Sequence, residues 1–219
     1  IINEGSNEVF TEGNLNYFEK SAPGNLKLLE GLWFGDQDNE VLLSMLIKGH
    51  AGYTFAVLET NAFEELVLDE EGPHKILTIL GYEKAIFYGL KFLERKGIPH
   101  DKFFEKDFSL QVPNLFEAKM NPADYIAIFY FAQALGSSIN IQRQNVQKMG
   151  LLSHVKSMLD WVCEKDPTLE NGNCQFFQAV IEASTPSILG GSQVKAKKLF
   201  QALMKKQTEN LLIKLGYIQ

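Results

Sequence analysis

Apolar residues recur every three to four positions along most of the chain, for example at Leu26, Leu29 and Trp33. This interval is the period of an amphipathic helix, which turns one apolar face toward a core. No stretch alternates apolar and polar residues as a half-buried strand does. The pattern therefore predicts an all-α fold. The predicted helices are Gly24–Phe34, Glu40–Glu59, Lys75–Lys96, Pro122–Gln142, Val146–Glu164, Asn173–Ser184 and Gln193–Leu215.

Proline marks the predicted ends of these helices. Inside a helix, proline removes a backbone hydrogen bond and clashes with the preceding turn, so each of the seven prolines is interpreted as a helix boundary. The clearest start is Asn121-Pro122, where a capping side chain precedes proline at the first helical position. Asp124 adds a negative charge to the first turn, where the helix dipole favours it. A helix is therefore predicted to begin at Pro122.

The segment 97–121 lies between two predicted helices and is rich in phenylalanine and charged residues. It lacks a strong helical period, so it is interpreted as a long connection that contributes no helix. Its apolar content indicates that it packs over an opening, and whether it covers a functional groove or only stabilises the fold stays open. We expect a single all-helical domain over residues 1–219, with this segment packed over the bundle.

Two stretches share a repeat-like spacing of small and aromatic residues. Gly81–Ala85 leads into Phe87, and Gly191–Ala196 leads into Phe200. Both resemble the pattern by which helix pairs stack in tetratricopeptide (TPR) arrays, but their offset is not a multiple of about 34 residues. The chain is therefore predicted to be a degenerate TPR-like bundle of antiparallel helix pairs, not a regular array.

The charge balance argues against nucleic acid as a partner. The net charge is −6 and the isoelectric point is near 5.3, so the chain lacks the basic field that phosphate backbones require. The C-terminal stretch is locally basic, with only Glu209 as an acidic residue. It is interpreted either as a solvated helix face or as a docking patch for an acidic partner or an anionic membrane surface. Its lysines are Lys195, Lys197, Lys198, Lys205, Lys206 and Lys214.

The longest apolar run, Tyr125–Phe131, is far shorter than the ~20 residues that cross a bilayer, so no membrane-spanning segment is predicted. The chain opens at Ile1 without an initiator methionine or an apolar leader, and we expect it to be a processed or trimmed product. Cys163 and Cys174 have neither a nearby histidine nor a CxxC spacing, which argues against a metal site. If their helices are antiparallel neighbours, the two cysteines can meet in a disulfide; two separate buried thiols are the alternative.

Motifs for catalysis or cofactor binding are missing from the sequence. It has no nucleophile elbow, no phosphate-binding glycine loop, no dinucleotide fingerprint and no metal-binding histidine helix. His50, on an apolar helix, is interpreted as a core or cavity histidine in preference to a catalytic base. We therefore expect a protein that is not an enzyme and that uses no cofactor.

One stretch carries a specific family resemblance. Residues 186–200 resemble the Pro-x-x-Leu-Gly-Gly-x-x-x-x-Ala-x-x-x-Phe signature of the TRAP-transporter T-component family, and Leu26–Leu32 and Tyr130–Gly136 match further blocks of that family in the same order. The matching positions are Pro186, Leu189, Gly190, Gly191, Ala196 and Phe200.

The resemblance implies a periplasmic lipoprotein of cryptic TPR-like helices. It further implies a homotrimer with a channel through each subunit, acting beside the substrate-binding (P) subunit of a TRAP uptake system. A lipidated cysteine just before Ile1 would anchor such a protein to the membrane.

Candidate ligand-binding residues lie beside glycines that interrupt the predicted helices. Glycine costs about 1 kcal/mol relative to alanine inside a helix, so either close helix packing or a cavity wall should compensate at these positions. Aromatic residues with a polar tip suit a small, partly hydrophobic organic ligand. An adaptor that binds a peptide or protein in a concave groove is the alternative function. The candidates are His50, Tyr53, Tyr88, Tyr130 and Asn140.

Overall fold

The computed structural model describes residues 13–68 and 71–206, apart from the side chains of Glu64, Leu189 and Lys206. Within these ranges the secondary structure is helical and no strand occurs, which confirms the all-α prediction. The chain divides into two compact units, one ending at Glu105 and the other beginning at Lys106. The single-domain organisation and the TPR-like detail stay predictions.

Unit 1 is built around one central helix. Its helices are α1 (Leu15–Gly35), α2 (Glu40–Tyr53), α3 (Glu59–Asn61), α4 (Phe63–Val67), α5 (Pro73–Arg95) and α6 (His100–Phe103). Helix α2 packs against both α1 and α5 and buries Leu43, Leu46 and Ile47 completely. Helices α2 and α5 are antiparallel, since Glu40 at the start of α2 pairs with Lys96 at the end of α5, 2.7 Å away.

A π-helical segment, Thr54–Leu58, joins α2 to α3 without a break. It passes close to Gly81 of α5, where a Cβ atom would collide with the Thr54 side chain and touch Leu58. Glycine at 81 therefore permits close helix packing. Gly136 in the other unit is similar, because a Cβ there would lie 3.1 Å from Ile181.

The continuous helix Glu40–Asn61 is, within the described chain, the one segment long and apolar enough to cross a membrane by length and composition. The sequence predicts a helix at Glu40–Glu59, but the prediction of no membrane-spanning segment rested only on the uninterrupted apolar run Tyr125–Phe131 and did not single this helix out. More than half of its most apolar window is buried inside the structure. The core helix of a folded unit has this property, because its apolar faces meet its neighbours.

Prolines mark helix starts at some positions only. Pro73 and Pro122 occupy first-turn positions as predicted, and Asn121 forms a capping box with Asp124. The prediction was wrong for Pro23 and Pro113, which lie inside helices. Around Pro23, α1 begins nine residues before the predicted start at Gly24, because Asn14 caps it.

The 97–121 segment also differs from the prediction, since it is largely helical. It contributes α6 to unit 1 and α7 (Phe108–Lys119) to unit 2. Phe108, Val112 and Phe116 recur every four residues along α7 and are fully buried, which explains why this stretch is helical.

Unit 2 has a mostly buried helix, α8 (Tyr125–Ile141), that follows the 3-10 turn Pro122–Asp124. Helix α10 (Leu152–Lys165) packs against α7, α8 and α11 (Asn173–Ser184), and α11 packs against α12 (Gln193–Lys206).

The predicted helix Val146–Glu164 is divided in the structure, because the short α9 (Val146–Met149) precedes α10. Helix α11 has its predicted bounds. The predicted continuation of α12 to Leu215 lies outside the described residues.

Candidate functional site

Three helices of unit 1 meet at the carboxylate of Glu30. Glu30 Oε1 lies 3.1 Å from His50 Nε2 on α2 and 2.5 Å from Lys84 Nζ on α5. Glu30 Oε2 accepts a hydrogen bond of 2.8 Å from Lys27, one turn earlier on α1. We call these four residues together with Tyr88 the Glu30 junction. The Glu30 carboxylate is mostly buried. Its contacts with the two lysines and with His50 stabilise its negative charge.

Aromatic rings cover one side of the junction. The His50 and Tyr88 rings are stacked, with centroids 5.6 Å apart and planes inclined by 12°. Trp33 meets the Tyr88 ring edge-on at 5.3 Å, and Phe87 lies beside both. These edge-to-face rings together supply an apolar wall next to a fixed negative charge.

The charge states at the junction follow from burial and from the lysines. Burial opposes ionisation of Glu30, but hydrogen bonds from Lys27 and Lys84 outweigh it and lower the pKa to about 2. Burial, with the nearby Lys84 charge, lowers the pKa of His50 to about 4 despite the opposing effect of Glu30. Burial and the Glu30 charge raise the pKa of Tyr88 to about 12. Near neutral pH the junction therefore holds an ionised carboxylate, a neutral imidazole and a neutral phenol.

Of the candidates that the sequence suggested, the structure brings His50 and Tyr88 together. Tyr53 lies one turn after His50 on α2, where its ring meets Phe18 at a centroid distance of 6.1 Å. Burial and the charge of Glu19 raise the pKa of Tyr53. Tyr53 is thus in unit 1, beside the N-terminal part of α1.

Tyr130 and Asn140 belong to unit 2. The Tyr130 hydroxyl donates a hydrogen bond of 2.6 Å to Glu170. Burial raises the pKa of Tyr130, and the negative charge of Glu170 raises it further. Asn140 is exposed near the end of α8. Glu170 and Asn171 have φ values of 51° and 56°, in the left-handed region that non-glycine residues rarely adopt. Tyr130 therefore contacts an unusual turn, and Asn140 faces solvent.

Cys163 and Cys174 flank that same turn and are joined by a disulfide, with Cα atoms 5.6 Å apart. The bond links the end of α10 to the start of α11. Both cysteines are buried.

The motif at Pro186–Phe200 forms the connection between α11 and α12. Gly190 has a φ of 86°, and a Cβ at Gly191 would collide with the backbone of Thr185, so both glycines are required by the turn. Lys156 of α10 donates a 2.6 Å hydrogen bond to the Gly190 carbonyl. Ala196 and Phe200 are buried with Phe176 of α11, whereas the Leu189 side chain lies outside the described part of the chain. The motif therefore holds two helices together.

Open grooves occur in both units. The larger, of about 420 Å³, lies on unit 2 between Pro113 of α7 and the polar side of α10. A second, of about 380 Å³, lies on unit 1 near Pro99 and His100. Neither is lined by the candidate tyrosines. In the described ranges, no group of three or more His, Cys, Asp or Glu side chains could hold a metal ion.

Sequence reasoning missed three members of the Glu30 junction, Lys27, Glu30 and Lys84, and also the neighbouring Trp33. One signal was present, because Glu30 lies in the Leu26–Leu32 block that carries the family resemblance and stands three residues after Lys27. Lys84 and Trp33 carry no comparable local signal, since their roles depend on how α1 and α5 pack.

Comparison with known proteins supports the resemblance found in the sequence. A search of curated proteins found no match to this chain. The family model for the TRAP transporter T-component matches residues 11–218, which is nearly the entire chain. The chain therefore belongs to the TRAP transporter T-component family and is a component of a TRAP-type uptake system.

Proposed function

We propose that this chain is a non-enzymatic periplasmic subunit that binds or relays a small organic ligand together with the substrate-binding (P) subunit of its TRAP system. Assembly as a homotrimer and attachment through a lipidated cysteine before Ile1 belong to the same proposal. The family match over residues 11–218 supports the transport role. The buried disulfide supports an oxidising compartment, where such bonds persist.

The Glu30 junction is the observation that carries the ligand-binding part. A ligand between α1 and α5 would meet the aromatic wall of Trp33 and Tyr88, which suits an apolar body. The His50 imidazole and the Tyr88 hydroxyl, both neutral, are hydrogen-bonding groups that would orient a polar end. Recognition of this type relies on shape and desolvation and involves no covalent step.

Native mass spectrometry of the oxidised full chain, alone and mixed with the P subunit, tests this function. We expect a retained small ligand, capture of the P subunit, or both. Tyr88→Leu should lose the ligand, whereas Tyr17→Leu, at an exposed tyrosine of α1, should keep it. Tyr88→Phe removes only the hydroxyl and keeps the ring stack, so it tests the role of the hydroxyl in a chain whose packing is preserved. An empty wild-type chain that ignores the P subunit would overturn the proposal.

One observation favours the alternative of a peptide-binding adaptor. The groove of about 420 Å³ on unit 2 is open, and polar and charged residues from successive turns of α10 are among those that line it. Its α10 residues are Ser153, Lys156, Ser157, Asp160, Trp161 and Glu164. Peptide-array binding that depends on Asp160 and Glu164, in a chain that holds no small ligand, would favour the adaptor.

A further inference from the structure

Helix α12 has two chemically different sides. Ala196, Phe200 and Leu203 recur at the spacing of one helix face and are buried against α11. Val194, Lys198 and Lys205, at intervals of four and seven residues, lie on the opposite side and are exposed. With the neighbouring Lys197, these three residues form what we call the α12 outer face.

The lysines of the outer face have no acidic counterpart in the described parts of the chain. Lys197, Lys198 and Lys205 form no ion pair there, whereas Lys195, on the flank of α12, lies 2.8 Å from the Glu182 carboxylate. The net charge of the whole chain is −6, so this basic face runs against the overall charge. Unpaired cations clustered on one face attract an anionic surface.

Aliphatic side chains are exposed at the N-terminal end of the same helix. Ile188, on the 3-10 turn Ser187–Leu189, is 92% exposed, and Val194 is 68% exposed. The turn is braced, because Lys156 donates to the Gly190 carbonyl and the Gly191 amide donates to the Pro186 carbonyl at 3.2 Å. Ile188 is therefore presented to solvent by an ordered turn. Exposed aliphatic residues beside lysines are typical of helices that lie in a membrane interface.

We propose that the α12 outer face and the Ile188 turn dock on a lipid surface with anionic headgroups. The three lysines pair with headgroup phosphates, and Ile188 and Val194 enter the boundary between headgroups and acyl chains. An acidic protein partner fits less well, because the core of a protein interface is contiguous and depleted in lysine. This contact is separate from ligand binding at the Glu30 junction and from the N-terminal anchor. An experiment can therefore disprove any one of these three proposals and leave the other two intact.

Co-sedimentation of the oxidised full chain with lipid vesicles tests the proposal. We expect binding to vesicles of phosphatidylcholine mixed with phosphatidylglycerol, weakening as salt is added, and little binding to phosphatidylcholine alone. Each Lys→Gln change on the outer face should lower the partition coefficient about fivefold, so the triple variant Lys197→Gln/Lys198→Gln/Lys205→Gln should lose about a hundredfold. Ile188→Ser should weaken binding severalfold without changing the charge.

A matched control removes the same charge elsewhere. Lys20→Gln/Lys106→Gln/Lys119→Gln alters three other exposed lysines and should keep nearly all vesicle binding. Equal loss in both triple variants would assign the effect to net charge and overturn the proposal, as would a wild-type chain that ignores anionic vesicles. An outer-face variant that keeps vesicle binding but no longer captures the P subunit would identify a protein-docking face instead.

Discussion

The imidazole of His50 is stacked nearly parallel to the phenol ring of Tyr88, with centroids 5.6 Å apart, while its Nε2 atom lies 3.1 Å from the Glu30 carboxylate. One side chain of α2 thus contacts both α1 and α5. Protonation of His50 would place a charge in this buried position, next to Lys84. The position of His50 therefore links the packing of unit 1 to pH.

Acid should destabilise unit 1 through His50. Its pKa is about 4 in the folded chain and near 6.5 when unfolded, so the unfolded chain binds more protons between these values. The free energy of unfolding should therefore fall as the pH decreases from 6.5 toward 4. Urea unfolding at a series of pH values measures this slope. His50→Gln should flatten it, and His100→Gln, at an exposed histidine, should not.

Glu30 should dominate the pH dependence of the free energy of unfolding in a second, more acidic pH range. Its pKa of about 2 is lower than the ordinary 4.5, so its contribution to stability is present above 4.5 and is lost as the pH falls toward 2. Glu30→Gln should lower the free energy of unfolding by about 1–2 kcal/mol at neutral pH, through the lost contacts with two lysines and His50. The same variant should lose less stability than wild type below pH 4.5. If the free energy of unfolding of Glu30→Gln falls as steeply as that of wild type below pH 4.5, this assignment is wrong.

Gly191→Ala should strongly destabilise unit 2, by about 2–4 kcal/mol, because the new methyl group meets the Thr185 backbone, which has little room to move. Gly31→Ala is the matched control. Its Cβ would have open space on the outside of α1, and alanine is the better helix former, so a gain of about 0.5–1 kcal/mol is expected. Thermal unfolding of both variants measures the contrast, and similar effects of the two changes would refute it.

The disulfide should be formed in the native protein and should stabilise unit 2. Alkylation under denaturing, non-reducing conditions should label neither cysteine, and both should be labelled after reduction. Cys163→Ala/Cys174→Ala should lower the free energy of unfolding by about 2–3 kcal/mol, as is usual for a loop of this size. Two labelled thiols in protein isolated without reductant would contradict the assignment.

Tyr130→Phe should remove the hydrogen bond to Glu170 and lower the free energy of unfolding by about 1.5–3 kcal/mol, the range for a bond to a charged acceptor. Tyr17→Phe, at an exposed tyrosine, should have almost no effect. If Tyr130→Phe leaves stability unchanged but weakens binding of a small ligand, Tyr130 acts as a binding residue and not as a brace for the left-handed turn.

Local features of the sequence were enough to predict the helices that depend on them. The bounds of Asn173–Ser184 and the capped start at Pro122 follow from apolar period, capping side chain and proline, all within a few residues of each other. The same reasoning failed at Pro23, where the helix continues through the proline because Ala22 and Leu26 are buried on either side of it. It also missed α7, although Phe108, Val112 and Phe116 repeat at helical spacing.

The sequence by itself determined the all-α class, most helix positions and, through the Pro186–Phe200 motif, the family. Only the tertiary structure decided which candidate residues meet: Glu30, His50 and Tyr88 come from three helices, while Tyr130 lies in the other unit. The physical reason is that the two kinds of feature depend on residues at different separations along the chain. Helix formation and capping depend on neighbours within a turn, whereas the site depends on which helix faces pack together, a choice made by many weak apolar contacts distributed along the chain.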